Sequence, residues 1–204
     1  MNSEHSQDPT GGLDLVFRGP FAWLATADAP SIFDAIEPDL AGIYLWAIDR
    51  GDGHLVSYVG ETGRCVRKRM AEHYAEHAAG RYLIHEPSDY ARGVKAALWP
   101  GHYGKDASDL GNCVRASIEL APKIAELSRM LRFFIALTTC DQRMRRRAEA
   151  AIADELYRAP GSIGAFQDSG VRYQRRRQAE PPVTVSIKVA DHRLVLGLPA
   201  IIQA

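Results

Sequence analysis

Two tyrosines, a run of cations and one histidine stand close together in this chain. Gly42-Ile43-Tyr44 and Tyr58-Val59-Gly60 are separated by thirteen residues, and Arg64, Arg67, Lys68, Arg69 and His73 follow. These residue types suit an anionic oxygen substrate. A guanidinium donates a planar, two-pronged pair of hydrogen bonds to phosphate oxygens. Histidine serves as a base at neutral pH without any shift. A tyrosine, with a pKa near ~10, is a poor base unless a cation lowers it. Nearby arginine or a bound divalent ion supplies that cation. Phosphodiester hydrolysis needs a deprotonated water, neutralised phosphate charge and a stabilised leaving oxygen.

The two triplets, continued by Glu61-Thr62-Gly63 and by Arg69 and His73 on a helix, resemble the signature of the GIY-YIG nuclease superfamily. The resemblance covers residues 41–168 and leaves the stretch between His73 and Leu131 unmatched. The spacer is a little longer than is common in the family, which reads as a longer hairpin loop. Residue by residue, the resemblance implies that Tyr44 and Tyr58 line the site and that one helps to activate water. It implies Arg69 as the phosphate clamp, with Arg67 and Lys68 as rivals. Lys68 stands where many family members have the arginine, whereas Arg69 followed by His73 resembles the restriction-enzyme branch. His73 is then an auxiliary base or a phosphate contact.

Glu149, in Arg147-Ala148-Glu149-Ala150-Ala151-Ile152 after an apolar strand, resembles the family's glutamate helix. The implied role is ligand to Mg²⁺ or Mn²⁺, with Glu155 as the alternative. One carboxylate plus waters suits Mg²⁺, which dehydrates reluctantly. Gln167 stands where the family usually has an asparagine and offers the same amide donor on a longer arm. The implied activity is a metal-dependent endonuclease that hydrolyses DNA phosphodiester bonds, with RNA as the other nucleic-acid substrate. The alternative is an altered scaffold that binds nucleic acid without cutting it. A homodimer is compatible, because one site cuts one strand.

These side chains need elements to hold them. Gly42–Ile48 and Leu55–Gly60 are rich in β-branched and aromatic residues and read as strands of a hairpin. Asp49-Arg50-Gly51-Asp52-Gly53 between them is turn chemistry. Cys65–Ala79 reads as a helix with Val66, Met70, His73 and His77 on one side. Leu131–Thr138 suits a buried central strand. Asp141 caps a helix over Gln142–Arg158. Asn112–Leu127 reads as a helix that Pro122 kinks or splits. Tyr90–Leu98 reads as a helix or strand. Val183–Ile187 alternates with period two as a strand, and Leu194–Leu198 reads as another. A short helix over Ile32–Glu37, capped by Ser31, precedes the hairpin. The expected fold is α+β: a small antiparallel sheet of the hairpin and a third strand, flanked by helices. An inserted segment spans about 81–127, and a C-terminal extension with strands spans 169–204. One domain, 13–204, follows a disordered lead-in, 1–12. Residues 13–24 read as an added arm.

Composition sets the class. Of 204 residues 46% are apolar and 25% charged, as in an ordinary globular protein. No apolar run approaches the ~20 residues of a membrane span. The N-terminus lacks a signal pattern, and Cys65, Cys113 and Cys140 show no CxxC spacing, so the expected compartment is the cytoplasm. Net charge is zero. Basic residues nonetheless cluster at 64–69, at Arg143, Arg145, Arg146 and Arg147, and at Arg172, Arg175, Arg176 and Arg177. If Arg64, Arg67, Lys68, Arg145, Arg146, Arg175 and Arg176 converge, they form a phosphate-tracking surface; otherwise they are solvated faces.

Overall fold

The computed structural model describes residues 12–35, 40–102, 110–168, 170–190 and 194–204. The expected lead-in falls almost wholly outside the described residues. In chain order the elements are β1 (Leu13–Phe21), α1 (Ile32–Ala35), β2 (Gly42–Asp49), β3 (His54–Thr62), α2 (Val66–Ala78), β4 (Ile84–His85), α3 (Pro87–Ala91), β5 (Ala97–Trp99), α4 (Leu110–Glu119), α5 (Ala121–Met130), β6 (Leu131–Leu137), α6 (Gln142–Arg158), α7 (Ser162–Ala165), β7 (Thr184–Val189) and β8 (Ile201–Gln203). The fold is α+β. Its main sheet is mixed and curled, in the order β3-β2-β6-β1-β7-β8, and β4 and β5 form a separate pair.

Strand β2 explains why the sheet has two cores. Seven of its eight residues are buried, so both faces are covered. Period-two alternation sends Ile43, Leu45 and Ala47 to one side. There they meet Leu15, Phe17, Phe134 and the α6 residues Ala148, Ile152 and Leu156. Tyr44, Trp46 and Ile48 go to the other side, with Phe21, Trp23, Phe133, Val66 and Met70 of α2, and Ile124 and Leu127 of α5. Strand β6 lies between β2 and β1 and alternates in the same way, Phe133 to one core and Phe134 to the other.

The hairpin, the central β6 and the α6 helix stand where the sequence places them. Asp141 caps α6 by accepting from the Met144 amide at 2.9 Å. The helix expected over Asn112–Leu127 is split at Leu120 into α4 and α5, with Pro122 in the first turn of the second. Tyr90–Leu98 contains the end of α3 and most of β5. The short helix after Ser31 is α1, and residues 36–39 lie outside the described ones.

Three expectations are corrected. Residues 13–21 are no added arm: β1 sits inside the sheet, antiparallel to β6 and parallel to β7. The sheet is therefore larger than three strands and is mixed. Leu194–Leu198 is no strand. His54 donates to the Leu194 carbonyl at 2.8 Å and accepts from the Leu196 amide at 2.9 Å, while β8 forms farther on and pairs β7. No helix among the described residues is long and apolar enough to cross a membrane.

Phe134 is fully buried where β1, β2 and α6 meet. Phe134→Ala is expected to lower stability by about 3–5 kcal/mol, the range for emptying a buried aromatic site. A urea midpoint shifted by that amount at unchanged slope checks it; a change under about 1 kcal/mol contradicts this packing.

Candidate active site at the edge strand

The site begins with a glycine. Tyr44 on β2 pairs with Gly60 on β3, so both face the same side of the sheet. β3 is an edge strand of the main sheet. A β-carbon at residue 60 would sit 2.5 Å from Cζ and 2.6 Å from the hydroxyl of Tyr44. The Tyr44 ring therefore lies across Gly60, with its hydroxyl carried towards the edge. Two pairs along, Trp46 opposes Tyr58, and the two tyrosine rings are 6.2 Å apart.

Helix α2 covers this face. Val66, Met70, His73 and His77 are its buried stripe, as their spacing requires. The amide of Val66 donates to the Leu40 carbonyl at 3.0 Å, which ties the start of the helix to the approach of β2. Two turns of helix then bring His73 over the tyrosines. Nε2 of His73 lies 2.8 Å from the Tyr44 hydroxyl, and Nδ1 lies 2.8 Å from the Tyr82 hydroxyl. Burial, reinforced by Arg69, lowers the His73 pKa to about 3, so its ring is neutral at physiological pH. Both ring nitrogens are engaged by phenols, so His73 makes no direct phosphate contact in this arrangement.

Arg69 stands one turn before His73 and bears on the Tyr44 hydroxyl both as a charge and as a hydrogen-bond donor. Burial pushes the Tyr44 hydroxyl above its ordinary range, and Arg69 pulls against that shift. Tyr58 is pushed up as well, first by burial and then by Tyr44. Neither phenol is thus a standing phenolate. Arg69 is held on its other side by Glu72 at 3.3 Å, and Arg64 grips the same carboxylate with two bonds of 2.9 and 2.8 Å.

The opposite face supplies the carboxylates. Glu61 pairs with Ile43 and so points to the α6 side. Arg145 and Arg146 of α6 reach it at 3.3 and 3.1 Å. Arg145 also donates to the Cys140 carbonyl and has only 8% of its side chain exposed, so it is no solvated cation. Glu149, one turn on, is half-buried beside Glu61. Burial, and then Glu61, raise its carboxyl to about 7. The two faces meet at an open cleft of about 590 Å³ lined by Glu61, Thr62, Gly63, Arg64, Arg69, Gln142 and Arg145. The tyrosines connect to it through Arg69, and Glu149 connects through Glu61.

No family model, curated protein or solved structure matches the chain. What the site can do therefore rests on its own geometry. Tyr44, Tyr58, Arg69, His73 and Glu149, which come from four elements, are brought together. The rivals of Arg69 point elsewhere: Arg67 donates to the Phe33 carbonyl at 3.1 Å, and Lys68 is exposed. Glu155, the rival of Glu149, pairs with Arg158. Gln167 is buried, and its amide donates to the carbonyls of Val56 and Ile163 at 2.6 and 3.2 Å, which makes it a brace of the fold. Arg175 pairs with Asp154, and Arg176 donates to the Glu180 carbonyl at 2.7 Å.

Three further residues at the site had no role assigned from the sequence. Tyr82 lies in the unmatched insertion. Glu61 lies inside the motif, and strand alternation would have placed it on the α6 side. Tyr173 donates to the Val59 carbonyl at 3.2 Å and interacts with Glu149.

As a metal ligand Glu149 fits. Its carboxyl is half-buried, burial and the neighbouring Glu61 hold it near neutrality, and Glu61 is itself held by Arg145 and Arg146. Among the described residues no three His, Cys, Asp or Glu side chains converge. A Mg²⁺ at this site would have Glu149 as its ligand and Glu61 beside it, with waters in the remaining positions.

The raised carboxyl has a sign. It binds its proton more tightly folded than unfolded, so stability falls as pH rises from ~4.5 to ~7 and the loss is complete above that. Glu149→Gln is expected to raise Tm at pH 8 and to change it little at pH 4. Mg²⁺ at pH 8 should stabilise the wild type and leave Glu149→Gln unmoved. Thermal melts at both pH values check this, and an equal response of the two proteins contradicts the assignment.

Proposed function

We propose that this protein is a Mg²⁺-dependent endonuclease that cleaves DNA phosphodiester bonds. One observation carries the reading: five residues chosen by their resemblance to the GIY-YIG signature come from β2, β3, α2 and α6 to one margin of the sheet, where Arg69 lines the cleft. Nothing in the spacing of the sequence required Glu149 to come near Tyr58, 91 positions earlier, yet the two interact.

Each residue has a task that its surroundings support. Arg69 is held between Glu72 and Tyr44 and lines the cleft, so its guanidinium presents donors to a phosphate oxygen that enters there. Arg64 on the same wall adds positive charge, and an incoming phosphate competes with Glu72 for both. Tyr44 is wholly buried while Tyr58 is half-buried, so Tyr58 is the phenol that meets the attacking water. Arg145 holds Glu61 and thereby orders the neighbourhood of Glu149. Mg²⁺ held at Glu149 would neutralise the phosphate and stabilise the leaving oxygen. Two copies acting together would cut both strands.

Supercoiled plasmid incubated with Mg²⁺ or Mn²⁺ is the test, with a structured RNA in parallel. Wild type is expected to nick or linearise the plasmid, and Glu149→Ala and Arg69→Ala are expected to lose about 100-fold or more with the fold intact. A Glu149→Ala variant that cuts at the wild-type rate overturns the metal assignment. Salt-sensitive DNA binding without any cutting by the wild type would favour a binding module built on the same scaffold.

A further inference from the structure

The geometry points to a function for Tyr82: we propose that it is the exit of a proton relay running Tyr58–Tyr44–His73–Tyr82, which carries the proton of the attacking water away from the cleft. The proposal rests on the endonuclease reading for its substrate and on contacts within this chain for its path.

The path has a dry middle and wetter ends. Tyr44 is 0% and His73 3% exposed, whereas Tyr58 and Tyr82 are half-buried. The donors share one direction. Arg69 can only donate, and it bears on the Tyr44 oxygen. Tyr58 stands beside Tyr44, ring to ring at 6.2 Å. The Tyr44 proton is then best placed on the line to Nε2 of His73, 2.8 Å away. A neutral imidazole that accepts at Nε2 carries its hydrogen on Nδ1. That hydrogen faces the Tyr82 hydroxyl at 2.8 Å.

The fold holds Tyr82 in place. Helix α2 ends at Ala78, and Gly80 turns the chain back with a φ of +67°, a left-handed conformation that glycine adopts freely. Trp99 donates to the Gly80 carbonyl at 2.6 Å, and the His102 amide donates to the Arg81 carbonyl at 2.8 Å. Tyr82 is thereby folded back over a histidine nine positions earlier.

The relay balances. Water gives a proton to the Tyr58 oxygen as it becomes hydroxide. The Tyr58 proton moves to the Tyr44 oxygen, the Tyr44 proton to Nε2, the Nδ1 proton to the Tyr82 oxygen, and the original Tyr82 proton to solvent. His73 gains and loses one proton together, so no imidazolium forms in a site that strongly disfavours it. After product release a solvent proton entering at Tyr82 moves each proton back one place, Tyr58 hands one to a cleft water that passes it to solvent, and the starting tautomer is restored. The buried phenols then need never exist as phenolates. The groups facing His73 are Arg69 and Glu72 from α2, Tyr44 and Trp46 from β2, Tyr58 from β3, and Tyr82.

Tyr82→Phe keeps the ring and removes the only acceptor that this path offers Nδ1. The experiment pairs long-range ¹H–¹⁵N NMR of the His73 ring, on the whole chain without metal or DNA, with plasmid cleavage. The wild type is expected to show a neutral ring protonated on Nδ1. Tyr82→Phe is expected to move that proton to Nε2 and to lower kcat about 10- to 100-fold, with KM changed less than twofold. An unchanged tautomer, or an unchanged kcat, overturns the relay. A wild-type chain that cuts nothing overturns the endonuclease reading instead; the NMR comparison then decides alone whether Tyr82 sets the His73 tautomer.

Discussion

The packing of the Tyr44 ring on Gly60 is the contact on which the rest of this site depends. A tyrosine on an inner strand ordinarily ends in the core above its own sheet. Here the absent side chain on the edge strand lets the ring lie flat across its neighbour, so its hydroxyl reaches the margin where both faces of the sheet become accessible. Everything polar at the site follows from that displacement. His73 and Arg69 descend on the hydroxyl from α2, and Glu61 and Glu149 approach the same margin from the α6 side. Remove the edge position and the two faces are separated by a buried sheet.

Electrostatics distribute the labour between the faces. The α2 face gathers phenols and a neutral imidazole around one guanidinium. The α6 face gathers two carboxylates around two guanidiniums, and leaves Glu149 with a carboxyl near neutrality. A group so poised gains from a cation, and Arg69 gains from an anion that displaces Glu72. A phosphate with its metal supplies both. The zero net charge of the chain is no obstacle to such a substrate, because most of the basic clusters are balanced within the fold. Arg143 holds Glu180, Arg175 holds Asp154 and Arg145 holds Glu61. On the cleft wall Arg64 and Arg69 share Glu72, so an anion reaches them by displacing that carboxylate.

The sequence was most legible where pattern and chemistry are local. The hairpin, α2, β6 and α6 declare themselves through alternation, helical spacing and the Asp141 cap, and those elements carry all five central residues. It was least legible where partners are remote. The partners of β1 start 110 or more positions later, at β6 and β7, and no period within residues 13–21 reveals them. Tyr82 belongs to a stretch broken by glycine and proline, where the turn at Gly80 and anchors such as Trp99 and His102 help determine where a side chain ends. Arginine is phosphate-compatible by type, but type says nothing of pairing. Arg145 is a buried strut, and Gln167 is a brace whose amide serves two carbonyls.

The most direct measurement is cleavage by Gly60→Ala beside the wild type, with Tm and far-UV circular dichroism to follow the fold. The added methyl would meet the Tyr44 ring at 2.5 Å, so the ring must leave its place. The expected result is a folded variant whose cleavage falls by about 100-fold or more, comparable to losing a transition-state contact. A folded Gly60→Ala protein that cuts like the wild type would contradict the claim that this packing builds the site.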